Sequence, residues 1–427
     1  MRKMKYSGIE WIGEIPEDWK VKPIKSLFSF GKGLPITKDN LIENGSSVIS
    51  YGQIHSKNNI GVQIVDDLKR FVSKTYLDTN PNSLVHKGDF IFADTSEDLE
   101  GCGNFVYVDK EEILFAGYHT IILFSKQNIN NKYLAYLFKT DAWRCQIRGL
   151  CSGVKLFSIS KKILGQTRII LPMVHEQQRI VDFLDKKCSE IDSVISKTRE
   201  TIEEYKKLKQ SIITEVVTGK VKIENGKVCG KYDIYKDSGI EWIGEIPSEW
   251  SVCQIKRFAK LYNGKEIENE VIKLDNAIDV YGSGGVFKYT TNYLYDGEAV
   301  LFGRKGSIGK PLIVDGKFWT VDTMYFSTCK QELAMNKFLF YLLKIFPWDV
   351  YTTKTALPSI VGSEIFNSFV PFPPLTSQLS LITFLDKKCS EIDKLITKKE
   401  QLVVELEAYK KSLIYEVITG KKERVGG

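Results

Sequence analysis

The sequence predicts an α+β chain in which two α/β modules are separated by two long antiparallel coiled-coil helices, the halves forming a pseudo-two-fold internal repeat. Three observations carry that prediction. Ser7 to Pro16 reads SGIEWIGEIP and recurs letter for letter at Ser238 to Pro247, 231 residues later. Phe183 to Asp192 reads FLDKKCSEID and recurs at Phe384 to Asp393, 201 residues later. Between these paired motifs lie stretches of short apolar runs broken by Gly, Asn and Asp, the pattern of strands and turns. The offsets differ by 30 residues, so the first middle is that much longer than the second. A period this long marks a duplicated domain pair and not a solenoid.

After the first motif, closed by Trp19, strands are expected at Ser47–Tyr51, Asp89–Ala93, Phe105–Val108 and His119–Phe124, then a helix over Lys132–Arg148. The block from Glu176 to Val217 follows. Leu184, Ile191, Thr198, Tyr205 and Ile212 lie seven apart, and Cys188, Ile195, Ile202, Lys209 and Val216 form a second such series. Their four-three alternation is a coiled-coil seam. Some 42 residues at 1.5 Å give a rod of roughly 63 Å. Pro172 precedes the block and Gly219 follows it, as a helix start and a left-handed cap require. In the second half Trp250 closes the motif, and strands are expected at Ala277–Tyr281, Ala299–Phe302, Pro311–Val314 and Met324–Ser327. A helix near Asn336–Phe346 precedes a second block bounded by Pro373, Pro374 and Gly420. Its seam runs through Leu385, Ile392, Lys399, Leu406 and Leu413, with Cys389, Ile396, Val403, Lys410 and Val417 as the second series. A lone helix cannot bury such a stripe. The first partner to consider is the other copy, packed antiparallel; the alternative is a parallel dimer with a second chain.

Composition sets limits. Hydrophobic residues are 43% and charged residues 26%, the balance of a soluble globular chain. No apolar run reaches the roughly 18 residues that span a bilayer. Met1 to Lys5 is basic, but no apolar signal core follows, so the cytoplasm is the expected compartment. The eight cysteines form no CxxC pair, which argues against a disulfide framework and against zinc. The four histidines, His55, His86, His119 and His175, lack ligand spacing. The net charge of +7 permits contact with phosphates without demanding it.

No catalytic constellation stands out. Pro371-Phe-Pro-Pro374 lacks the leading Asn or Asp of an adenine methyltransferase motif. Glu204-Tyr-Lys206 matches a nuclease fragment but lies on a coiled-coil face. Neither Tyr281 to Gly285 (YGSGG) nor Gly303 to Gly309 (GRKGSIG) fits GxxxxGK[ST].

The duplicated layout and its local phrases resemble the specificity subunits of type I restriction-modification systems. The phrases are SGIEWIGEIPxxW, LPxxxEQQRIVxFLDKKCxEID, YKKxxQSxIxxxVTGK, the Gly88-Asp-Phe-Ile turn, YGSGG, GRKGSIG and Trp319 to Thr323 (WTVDT). The likeness spans essentially the whole chain. It implies a target-recognition domain over 1–172, a central helix over 173–220, a second target-recognition domain over 221–373 and a C-terminal helix over 374–427. It implies a non-catalytic subunit that reads a bipartite, asymmetric DNA target. It implies two modification subunits that bind S-adenosylmethionine and methylate adenine, and restriction subunits that hydrolyse ATP with Mg; no cofactor is expected on this chain. Candidate base readers are polar and basic residues of the Gly-rich loops: Gln53, His55, Lys57, Thr95, Ser96 and His119, then Tyr281, Ser283, Arg304, Lys305, Ser307 and Lys354. Arg304 leads them, because Arg bidentate to guanine is the commonest specific contact. The alternative is a coiled-coil adaptor that binds proteins without reading DNA. One departure separates the halves. Leu375 to Ser380 (LTSQLS) stands where Val174 to Arg179 (VHEQQR) stands in the first, which would give unequal docking if partners touch these positions.

Overall fold

The computed structural model describes residues 2–126, 129–153, 156–273, 275–355 and 357–422. The chain divides into two compact units, Met1–Lys197 with Leu402–Gly427, and Thr198–Gln401. Each holds one β-rich module and a stretch of both long helices.

In the first unit one antiparallel sheet has the order Phe105–Tyr107, Phe90–Ala93, Thr120–Ser125, Phe28–Lys32. A second has the order Arg70–Val72, Ser46–Ile49, Leu114–Ala116, Leu84–Val85, with its middle two strands parallel. The second unit repeats both. Leu312–Val314, Ala299–Gly303, Met324–Cys329 and Ala259–Asn263 form the first sheet. In the second, Ile278–Gly282 runs parallel to Lys317–Thr320, which pairs antiparallel with Tyr295–Asp296. Phe90–Ala93 and Ala299–Gly303 are buried at every residue, which is why they read as unbroken apolar runs. Gly33 and Gly264 hold equivalent crossings. A Cβ there would stand 1.8 Å from the Gly117 carbonyl oxygen and 1.9 Å from that of Val321, so only glycine fits.

The elements expected from the sequence are found with boundaries within one or two residues, apart from two differences, while the strands Phe28–Lys32, Arg70–Val72, Leu84–Val85, Leu114–Ala116, Ala259–Asn263 and Lys317–Thr320 were not expected. Tyr51 opens a short helix, Tyr51–Ile54, instead of ending a strand. The helix expected over Lys132–Arg148 is two, Asn131–Lys139 and Asp141–Arg148, because the Thr140 side chain accepts from Trp143 N and starts a new one. The hairpin strand Gly285–Thr290 was not expected; its exposed Val286 and Phe287 hide the alternation.

The long helices run over Val174–Val217 and Leu375–Ile418, 44 residues each. Both end in the same cap. Gly219 and Gly420 sit at φ 72° and 73°, and Lys220 N and Lys421 N reach back to the carbonyls of Glu215 and Glu416. In the first unit Leu184, Cys188, Ile191 and Ile195 share a core with Val403, Leu413 and Val417. In the second Ile202 packs with Ile392 and Ile396, while Leu385 and Cys389 join the module core. Asp192 pairs with Lys410 and Lys209 with Asp393, each at 2.6 Å, so one helix rises as the other descends: they are antiparallel. The seam departs from strict heptads at its end. Ile213, not Ile212, is fully buried, because a straight helix drifts against a 3.5-residue repeat and there meets its module.

Candidate nucleic-acid interface

A reading surface needs a rigid base, and each module is locked to the long helices in the same way. Gln177 spans the first joint: its Nε2 donates to the Pro172 carbonyl at 2.9 Å and its Oε1 accepts from Asn130 N at 3.0 Å. Gln378 does the same with Pro373 at 3.0 Å and Met335 N at 3.1 Å. Lys132 and Tyr136 converge on Asp185 at 2.6 and 2.8 Å, as Lys337 and Tyr341 converge on Asp386 at 2.5 and 2.7 Å. Burial, with the neighbouring carboxylate, holds both phenols far above their ordinary range. The ends are exchanged between repeats. Gly219, closing the first long helix, packs on Pro247 and Trp250 of the second motif, and Gly420 packs on Pro16 and Trp19 of the first.

The sequence departure at the helix start has a physical meaning inside the chain. Trp19 Nε1 donates to Glu176 at 3.2 Å, and Arg2 bridges Glu176 and Asp18 at 2.6 and 2.7 Å. Ser377 occupies the Glu176 position in the second half, and among the described residues the buried Trp250 Nε1 has no hydrogen-bond partner, the Tyr232 ring lying edge-on to the indole at 5.9 Å.

In the first module, His55 Nε2 donates to the Thr95 carbonyl at 2.8 Å and Nδ1 accepts from Asn104 at 3.0 Å. Both ring nitrogens are thus used to hold the turn. Gln53 Oε1 accepts from Ser50 N at 3.1 Å, capping the short helix. Ser96 is 2% exposed, and its hydroxyl donates to the Asp98 carbonyl at the wall of the neighbouring cleft. Lys57 is exposed. His119 is 58% exposed and holds φ 53°, rare for a residue with a side chain. Its Nδ1 lies 3.3 Å from Asp94 Oδ1, and its ring meets Tyr51 edge-on at 5.4 Å. A cleft of about 510 Å³ beside them is lined by Tyr51, His55, Glu97, Asp98 and Glu100.

The second module gathers its candidates at one place. Arg304 lies over the Tyr325 ring at 5.7 Å. Lys305 bridges to Ser359, and Gly306 N donates to the Pro358 carbonyl, which brings the Lys354 loop alongside. Ser283, at the tip of the neighbouring hairpin, packs on Gly303 and Gly306, and the Ser307 carbonyl crowds Gly303. Tyr281 sits at a register shift in its strand; burial raises its phenol above the ordinary range. Lys305, Ser307 and Lys354 are exposed.

The model of the type I restriction modification DNA specificity domain matches residues 16–204 and again 247–405. The chain belongs to the type I restriction-modification DNA specificity family. The MjaIX specificity subunit of a type I restriction enzyme from Methanocaldococcus jannaschii is 24% identical, over 96% of this chain and 95% of its own. The fold is also that of a chain solved to explain complex assembly and conformational transition of the type I R-M system, at TM-score 0.71 and 15% identity, covering 96% and 99% of the two chains. The HsdS subunit of Thermoanaerobacter tengcongensis is similar at TM-score 0.51 and 15% identity, covering 96% and 98%. Members of this family read DNA sequence and leave catalysis to other subunits, and that holds for this chain.

Leu184, Cys188, Ile191, Ile195 and Ile202 and Leu385, Cys389, Ile392, Ile396 and Val403 are at most 9% exposed, whereas Tyr205, Lys209, Ile212 and Leu406 are only partly buried. Burial pushes the Cys188 thiol up to about 11 and raises that of Cys389, the opposite of a reactive thiolate. Among the described residues no helix is long and apolar enough to cross a membrane, and no group of His, Cys, Asp and Glu could hold a metal ion. The sequence reading did not single out Asp94, Tyr51 or Tyr118; Asp94 stands directly after a buried strand, the place Arg304 has in the other half.

Proposed function

We propose that this chain reads a bipartite, asymmetric DNA target, one half-site per module, and carries two methyltransferase subunits and the restriction subunits. The supporting observation is an equal frame with unequal tips. Gln177 and Gln378, Asp185 and Asp386, and the two helix ion pairs recur position for position, whereas the loops beyond them share almost nothing. Two modules locked alike but tipped differently suit two different sequences. The contacts are assigned to Gln53, Lys57, Thr95, Ser96 and His119 in one half-site, with His55 as support, and to Tyr281, Ser283, Arg304, Lys305, Ser307 and Lys354 in the other. The paired helices fix the spacing between half-sites. S-adenosylmethionine, ATP and Mg belong to the partners, and the complex works in the cytoplasm.

The test is methylome sequencing of a host that carries the chain with its methyltransferase. The expected result is one split, non-palindromic motif; methylation without a defined motif, or DNA affinity indifferent to salt and sequence, would favour the protein-adaptor reading. Inserting residues into the first long helix near Thr218 is expected to change only the spacer. Altered half-sites would refute the spacing role.

A further inference from the structure

The two modules carry one equivalent seat at the end of the central strand. After Phe90–Ala93, Asp94 N donates to the His119 carbonyl at 3.1 Å, and the Asp94 carbonyl accepts from Ile159 N at 2.7 Å. After Ala299–Gly303, Arg304 N donates to the Thr323 carbonyl at 2.8 Å, and the Arg304 carbonyl accepts from Ile360 N at 3.0 Å. The register agrees: Ala93 faces Thr120, and Gly303 faces Met324. Asp94 and Arg304 therefore occupy one position of one fold, with opposite hydrogen-bonding chemistry. A guanidinium only donates and a carboxylate only accepts.

Both side chains are held ready. Among the described residues the Arg304 guanidinium has no hydrogen bond or ion pair, and the Tyr325 ring supports it from below. The Asp94 side chain is 27% exposed. Its Oδ1 is buried 3.3 Å from His119 Nδ1 and has no aligned hydrogen bond among the described residues. His119 keeps that place by adopting a left-handed backbone, with Tyr51 and Tyr118 packed edge-on at 5.4 and 6.0 Å. A strained non-glycine residue clamped by two aromatic rings against a carboxylate is costly to maintain, and such strain gathers at sites of function.

Resting on the proposed bipartite readout, we infer that Asp94, positioned by His119, is a specificity-determining residue of the first module that accepts a hydrogen bond from an exocyclic base amine, where Arg304 in the second donates to guanine. In the major groove the amines are cytosine N4 and adenine N6, and guanine offers N7 and O6 as acceptors. The half-sites then differ at the base facing this seat by exchange of donor for acceptor.

The experiment uses the full chain with its methyltransferase and methylome sequencing of the host. The wild-type motif supplies the reference, and its absence would sink the readout itself and not this assignment. With the motif in hand, Asp94→Asn is expected to lower discrimination at one position of one half-site by roughly 5- to 150-fold, leaving the other half-site and the spacer unchanged. The base lost at that position, cytosine or adenine, identifies which amine is read. His119→Gly relieves the left-handed backbone and removes the ring, and is expected to relax the same position as Asp94→Asn; relaxation at a different base of that half-site would mark His119 as a reader in its own right and overturn its positioning role. A motif unchanged in His119→Gly and in a folded Asp94→Asn overturns the inference. So does relaxation in the half-site that Arg304→Ala affects.

Discussion

Lys139 in the first unit and Lys344 in the second sit at matching places on matching helices, and their surroundings differ. Lys139 Nζ donates to the Asn59 carbonyl at 3.1 Å and lies over the Phe105 ring at 5.2 Å. Asn59 belongs to the longer middle of the first repeat. Burial, with Arg144 and Lys410 nearby, pushes the Lys139 ammonium down to about 7. Lys344 lies over Phe340 at 4.7 Å, on a groove of about 700 Å³ that also holds Lys209 and Asp393. Its ammonium is lowered by burial, then by Lys209. The extra chain of the first module thus covers a site that the second leaves open. The frame is shared because packing dictates it, and the additions change what the frame feels.

The largest effect that would sharpen this contrast concerns charge. Lys139 binds protons more weakly folded than unfolded, so stability climbs as pH rises from about 7 toward the ordinary lysine range, and below about 7 the penalty is fully present. Lys139→Met is expected to raise stability at pH 7 by ~2–3 kcal/mol and to flatten the climb between pH 7 and 8.5. Lys344→Met is expected to gain less. Urea unfolding at several pH values measures both; an unaltered slope in Lys139→Met would break the comparison. A smaller effect separates the two helix starts. Glu176→Ser removes the acceptor of Trp19 and the partner of Arg2 and is expected to cost about 1–3 kcal/mol, whereas Ser377→Glu is expected to add up to about 1 kcal/mol by reaching Trp250 Nε1. Amide exchange resolved by unit checks this, and equal changes in both units would contradict it.

The repeated frame was legible because it is written in periodicity and in verbatim repeats. The long helices and their caps at Gly219 and Gly420 needed no knowledge of the tertiary structure, whereas strands as short as Arg70–Val72 and Leu84–Val85 carry no period to read. The turn that holds Ser96 was not legible, because its closing hydrogen bond to the Asp98 carbonyl has no signature in a polar loop. Gln177 and Gln378 survived the departure between the two helix starts, yet their role in joining module to helix depends on carbonyls distant in sequence. Asp94 was hidden by its class: an acidic residue in a mildly basic chain does not suggest DNA until it stands on the seat of Arg304. The exchanged ends, where each helix closes on the other repeat's tryptophan, follow from antiparallel pairing but have no local signature.

The central claim is that each module reads its own half-site on a shared frame. The measurement that tests it most directly is the methylome of a host carrying a chimaera in which residues 251–373 are replaced by residues 20–172, so that both frames bear the first module. The account predicts a motif containing the first half-site twice and the second not at all. Survival of the original asymmetric motif, from an assembled and active complex, would contradict it.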